Sequence, residues 1–158
     1  MSMESLLAEV SRLHFPRPPA TPAQVAAFEA RAGWKLDEDL RAFYLRCDGC
    51  DLFISSPDTR FRVLPLEKIQ RARVAIRAND KDEAGAPSLY TLVDMQDSDY
   101  LVLDVARGES GRYPLFDAWH ETFPELVAVA SSFGEFLEKA LRSGDRAFWL
   151  DDSELREV

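Results

Sequence analysis

A chain of 158 residues with 46% hydrophobic and 11% aromatic content can bury one core without disulfides or metal, which excludes global disorder, and no apolar run approaches the length of a membrane span. Lys plus Arg number 19 against 28 Asp plus Glu, and the resulting formal charge of -9 argues against a generic nucleic-acid binder and favours solubility or a basic partner. The opening Met-Ser-Met-Glu-Ser-Leu-Leu-Ala-Glu-Val has no cationic start and no continuous apolar stretch, so it does not read as a secretory signal, and a cytoplasmic location is expected.

Taken in chain order, Leu6, Leu7, Val10 and Leu13 recur at helical spacing behind Ser2, and Phe15-Pro16-Arg17-Pro18-Pro19 ends that first helix. Thr21-Pro22-Ala23-Gln24 predicts a fresh start: threonine as cap, proline in the first turn, glutamine closing a capping box. Gly33 stops this helix, Asp37 caps a third one carrying Leu40, Phe43 and Tyr44, and Asp48-Gly49 stops that. Two short strands, Leu52 to Ile54 and Phe61 to Leu64, flank a Ser-Ser-Pro-Asp turn, and Pro65 opens an Arg-rich helix reaching about Asn79 with Ile69, Ala72 and Ile76 on its apolar face. After a polar loop to Pro87, three strands (Tyr90 to Met95, Tyr100 to Val105, Arg112 to Phe116) are joined by short polar turns into an antiparallel meander. Ser132-Phe133-Gly134-Glu135 is a capping box ahead of Phe136, Leu137, Ala140 and Leu141, with Gly144 as the stop. The sum is an α+β fold: N-terminal helices, a central mainly antiparallel sheet and a C-terminal helix, in one domain over residues 1–145. Residues 146–158 form a tail expected to pack back through Phe148, Trp149 and Leu150.

Charge is unevenly spread. From Asp94 to Glu121 there are seven acids and two bases, whereas from Arg60 to Arg77 there are six bases and one acid. The acids are Asp94, Asp97, Asp99, Asp104, Glu109, Asp117 and Glu121. The basic segment offers an anion site at Lys68, Arg71 and Arg77, or simply pairs with the acidic hairpins.

Three patterns invite a chemical reading. Cys47-Asp48-Gly49-Cys50 is a C-x-x-C, but it falls at the C-terminal end of a helix, where the dipole disfavours a thiolate, and His14 and His120 do not complete a zinc set. We read it as a buried apolar pair. Asp97-Ser98-Asp99 matches the D-x-D of cation-dependent enzymes, yet Asp and Ser are also what a tight turn selects, and no Gly-rich phosphate loop accompanies it. His120-Glu121 lacks the second histidine of a metal motif, and acid/base work with Asp117 would need both in one pocket, with no nucleophile elbow in sight. Trp34, Trp119 and Trp149 are expected in the core.

The order of signals is itself informative. Thr21-Pro22 through Glu29, Gly33-Trp34, the Leu36 to Tyr44 helix ending at Asp48-Gly49, Leu64-Pro65-Leu66-Glu67-Lys68-Ile69, Asp99 to Asp104 and Val129 to Leu137 together resemble the SUKH superfamily, which includes yeast cell-wall synthesis regulators and bacterial immunity proteins. The chain departs from the family in having Leu36-Asp37 where members often carry Leu-Pro, and Cys50 where a second glycine is common. The resemblance implies a non-enzymatic binding scaffold with no cofactor and no metal. In bacteria that is usually an immunity protein that neutralises a toxin; the alternative is a scaffold or regulator in cell-wall or stress signalling. The expected partner is a protein, a basic, nuclease-like toxin domain rather than nucleic acid or membrane, met through Asp94, Asp97, Asp99, Glu109, Asp117 and Glu121.

Overall fold

Local capping sets the helices of the computed structural model, which describes residues 1–54, 59–144 and 146–150. Helix α1 (Met3–Leu13) starts where the Ser2 hydroxyl accepts the Ser5 N–H, and it buries Leu6, Leu7 and Val10. Helix α2 (Pro22–Ala32) opens on the complete Thr21/Gln24 capping box and ends in left-handed Gly33. Asp37 caps α3 (Glu38–Arg46), and Ser132 caps the last helix, α5 (Phe133–Ser143). The box expected at α5 is half formed, because the Glu135 carboxylate reaches back to the Ser131 N–H and hydroxyl instead of to the cap residue.

Among the described residues seven strands make one antiparallel meander in sequence order: β1 (Phe15–Pro16), β2 (Cys50–Ile54), β3 (Thr59–Val63), β4 (Leu89–Asp94), β5 (Tyr100–Asp104), β6 (Leu115–Ala118) and β7 (Val127–Ala130). Directly opposed residues share a face, so the register defines rows across the sheet. One row runs Cys50, Val63, Val93, Leu101, Asp117 and Val127. Its apolar members Cys50 to Leu101 are buried in the main core with α1, α2, α3 and α5. The other row runs Phe15, Asp51, Arg62, Asp94, Tyr100 and Ala118. At its Ala118 end a smaller core covers the sheet, formed by Ala72, Leu89, Val102 and Phe123; at its Phe15 end it is open.

Three expectations need correction. The helix expected from Pro65 to Asn79 is a single 3-10 turn, Leu66–Lys68, followed by an extended step and then the short helix α4 (Ala72–Arg77). The cause is distant in sequence: Thr91 donates its N–H to the Gln70 carbonyl, the Gln70 N–H meets the Thr91 hydroxyl, and Arg71 bridges to Tyr90, so β4 takes the backbone groups a continuous helix would use. The strand expected at Arg112 to Phe116 is displaced to Leu115–Ala118, because the Tyr113 N–H goes to Asp37 and Pro114 has no N–H to give a ladder. Strands β1 and β7 are additional to the three-strand meander and the first hairpin. The Ser-Ser-Pro-Asp turn lies outside the described residues. Of the tail, residues 146–150 are described: Phe148–Leu150 forms a 3-10 turn, with Phe148 against Phe136 and Trp149 against Phe61. No helix among the described residues is long and apolar enough to cross a membrane.

Candidate partner-binding site

The meander puts the β4–β5 turn and the β6–β7 connection at the same end of the sheet. In the turn, Gln96, Asp97 and Ser98 all have positive φ (74°, 54° and 67°), a left-handed run in which short polar side chains are tolerated best. Asp94 Oδ1 accepts the Gln96 N–H at 2.8 Å and Met95 donates to the Asp99 carbonyl at 2.9 Å, so Asp97-Ser98-Asp99 is a turn built on local bonds, as its composition suggests. Among the described residues no group of three or more His, Cys, Asp or Glu is placed to hold a metal.

Asp99 joins the two segments. Its Oδ1 accepts the His120 N–H at 2.9 Å and lies 2.8 Å from His120 Nδ1, while Glu121 sits 3.9 Å from the other ring nitrogen. Asp99, Trp119, His120 and Glu121 line an open notch of about 240 Å³. The pairing considered for acid/base work, His120 with Asp117, is not made. Asp117 instead lies in the core-facing row, 3% exposed, and its Oδ2 accepts both the Trp119 indole N–H at 2.9 Å and the Trp149 indole N–H at 2.7 Å. Burial pushes the Asp117 carboxyl above the ordinary aspartate range, against the pull of those two donors, and the nearby Asp99 charge adds to the rise.

The six predicted acids therefore separate. Asp99 and Glu121 share the notch, and Asp97 is exposed on the adjoining turn. Asp94 sits under that turn but in the outer row, opposite Arg62. Asp117 is internal and acts on the rim only through the indole it holds. Glu109 is exposed in the β5–β6 connection, at the opposite end of the sheet. Sequence reasoning missed Trp119, expected in the core: it is 43% exposed. Nothing local to Asp117-Ala118-Trp119 announces this, because the side of the chain that Trp119 takes is set by the pairing of β6 with β5 and β7. Trp34 packs against Phe28, Tyr90 and Tyr113.

The cysteines are both free and buried, and a hydrogen bond with Cys47 together with burial drives the Cys50 thiol well above its ordinary range. Among the described residues Lys68, Arg71 and Arg77 make no ion pair with the acidic hairpins. Arg71 and Arg73 bind Asp80, Arg73 also binds Asp82, and Arg77 donates to the Phe123 carbonyl.

This arrangement of capped N-terminal helices, antiparallel meander and closing helix agrees with the comparison by sequence: a model of the SMI1 / KNR4 family (SUKH-1) matches residues 19–139. The chain belongs to that family. No curated protein matches it. Within the SUKH-1 frame, the matched span holds α2 to β7 and most of α5, including Asp99, Asp117 and Trp119, whereas Trp149, which shares the Asp117 carboxylate with Trp119, lies beyond it.

Proposed function

We propose that this SUKH-1 protein is a non-enzymatic binding module, an immunity protein that neutralises a basic toxin domain by direct contact through the Trp119 end of the sheet. The observation that carries the reading is Trp119 itself: a large apolar ring left 43% exposed, fixed in place through its N–H by a buried carboxylate, with Asp99 and Glu121 beside it. Rigid aromatic side chains of this kind are the usual anchors of protein interfaces, and an indole face ringed by carboxylates favours an approaching lysine or arginine. The overall charge of -9 would speed encounter with a basic domain, most strongly at low ionic strength. His120 has a carboxylate to orient it, but a hydrogen-bonded nucleophile is not seen beside it among the described residues, so binding accounts for the notch better than group transfer does.

The test is co-expression with the toxin domain encoded beside the gene. Rescue of growth and a stable complex, both lost on Trp119→Ala while the variant stays folded, are expected; rescue undiminished by Trp119→Ala would overturn the site, and no rescue or complex with the intact protein would overturn the function.

A further inference from the structure

The outer row of the sheet carries a second surface of opposite character. Where α4 and Phe123 stop covering it, the strands β1 to β3 floor a cleft of about 390 Å³ lined by Phe15, Arg17, Asp51, Arg62, Lys68 and Asp94, with Val63 to Pro65 as its wall. Its two carboxylates are already engaged, Asp51 by the Arg62 guanidinium at 2.9 Å and Asp94 by the Gln96 N–H at 2.8 Å. Its two outer cations are not: among the described residues neither Arg17 nor Lys68 has a carboxylate partner, and both are exposed. Phe15, which lines the same cleft, is 56% exposed. The anion-binding reading of the basic segment therefore survives only at Lys68, and it gains Arg17, a residue distant in sequence.

We infer that this cleft binds an acidic segment of a protein partner, with a partner carboxylate set against Arg17 and Lys68 and a neighbouring apolar side chain on Phe15. Charge complementarity selects the occupant: Arg17 and Lys68 are the cleft's cations without a carboxylate partner among the described residues, and the overall -9 tolerates a short acidic segment better than an extended polyanion such as nucleic acid, whose repulsion grows with its length. The segment lies on the face rather than adding to the sheet edge, since β1 is two residues long and Pro16 offers no N–H. This inference is independent of the Trp119 reading, and Trp119→Ala separates the two.

The experiment is an amide-resolved NMR titration of the full chain at low salt with the capped peptide Glu-Phe-Glu-Leu-Glu, alongside its Lys-for-Glu counterpart, inorganic phosphate and oligo-dT. Saturable shifts at Phe15, Arg17 and Leu64 to Lys68 are expected with the acidic peptide. The double variant Arg17→Gln/Lys68→Gln, whose exposed side chains make its fold an easy control by melting temperature, should weaken binding by about fivefold or more, and Trp119→Ala should leave it unchanged. Absence of saturable shifts, equal shifts with the lysine peptide, or equal displacement by phosphate or oligo-dT would each overturn the proposal.

Discussion

The two rows of the sheet place an aspartate in opposite circumstances. On the core-facing row, Asp117 stands beside Leu101 and Val127, almost without solvent, and among the described residues its side chain is answered by two neutral indole donors. On the outer row, Asp51 stands beside Arg62 at the mouth of an open cleft and is answered by a full opposite charge in water. The same residue type is a fastener in one row and a solvated ion pair in the other. Register alone decides which, because a shift of one residue exchanges the faces.

The largest way to test that contrast is Asp117→Ala. It leaves two indole N–H groups at the edge of the core without an acceptor, and a loss of about 2–4 kcal/mol in unfolding free energy is expected, read from urea titration followed by tryptophan fluorescence. A loss below about 1 kcal/mol would show that water takes over the carboxylate's place and that the row is not closed there. Trp119→Ala should separate from it. Its effect on stability should stay under about 1 kcal/mol because the ring is half in water, while affinity for the toxin domain falls by about 2 kcal/mol, roughly thirtyfold, measured by calorimetry.

The pH dependence of stability sharpens the same comparison. Burial raises the Asp117 carboxyl above its unfolded value, so between those two values the folded protein binds the proton more readily than the unfolded chain. The stability contributed by this group is fully present below the unfolded value and falls as pH rises through the raised one. Asp117→Asn should remove that part of the slope, which sets in above the ordinary aspartate value of about pH 4, measured as urea midpoints. An unchanged slope would place the carboxyl in water after all. At the rim, Asp97→Lys with Glu121→Lys should slow association with the toxin domain several-fold at low salt and less at high salt, while Glu109→Lys, at the far end of the sheet, should not.

How much of this was legible in the sequence depends on how local the cause is. Helix starts at Ser2, Thr21 and Asp37 and stops at Gly33 and Gly144 were readable, because a cap is settled within a few residues of chain. So was the Asp97-Ser98-Asp99 turn. The Arg-rich helix was misread because its interruption is imposed by Thr91 and Tyr90, some twenty residues on, and nothing within Leu66 to Arg77 announces it. The candidate site was legible as composition, an acid-rich span, but not as geometry. Leu115-Phe116-Asp117-Ala118 shows no clean alternation of apolar and polar residues, so the face that Asp117 takes, and with it the exposed position of Trp119, follows only from pairing with β5 and β7.

The smallest expected effect completes the contrast between the rows. The Asp51–Arg62 pair joins side chains that are 27% and 48% exposed, and the hydrogen bond from Arg62 to Asp51 raises the guanidinium's proton affinity while its partner stays within reach of solvent. Exposed pairs of this kind are worth about 0.2–1 kcal/mol and weaken with salt. Asp51→Asn should therefore cost no more than that in a urea titration, several times less than the loss at Asp117, and added salt should shrink the difference from the parent protein. A cost equal to that of Asp117→Ala would mean that the outer row is as closed as the inner one, and the cleft between Phe15 and Lys68 would have no room for a guest.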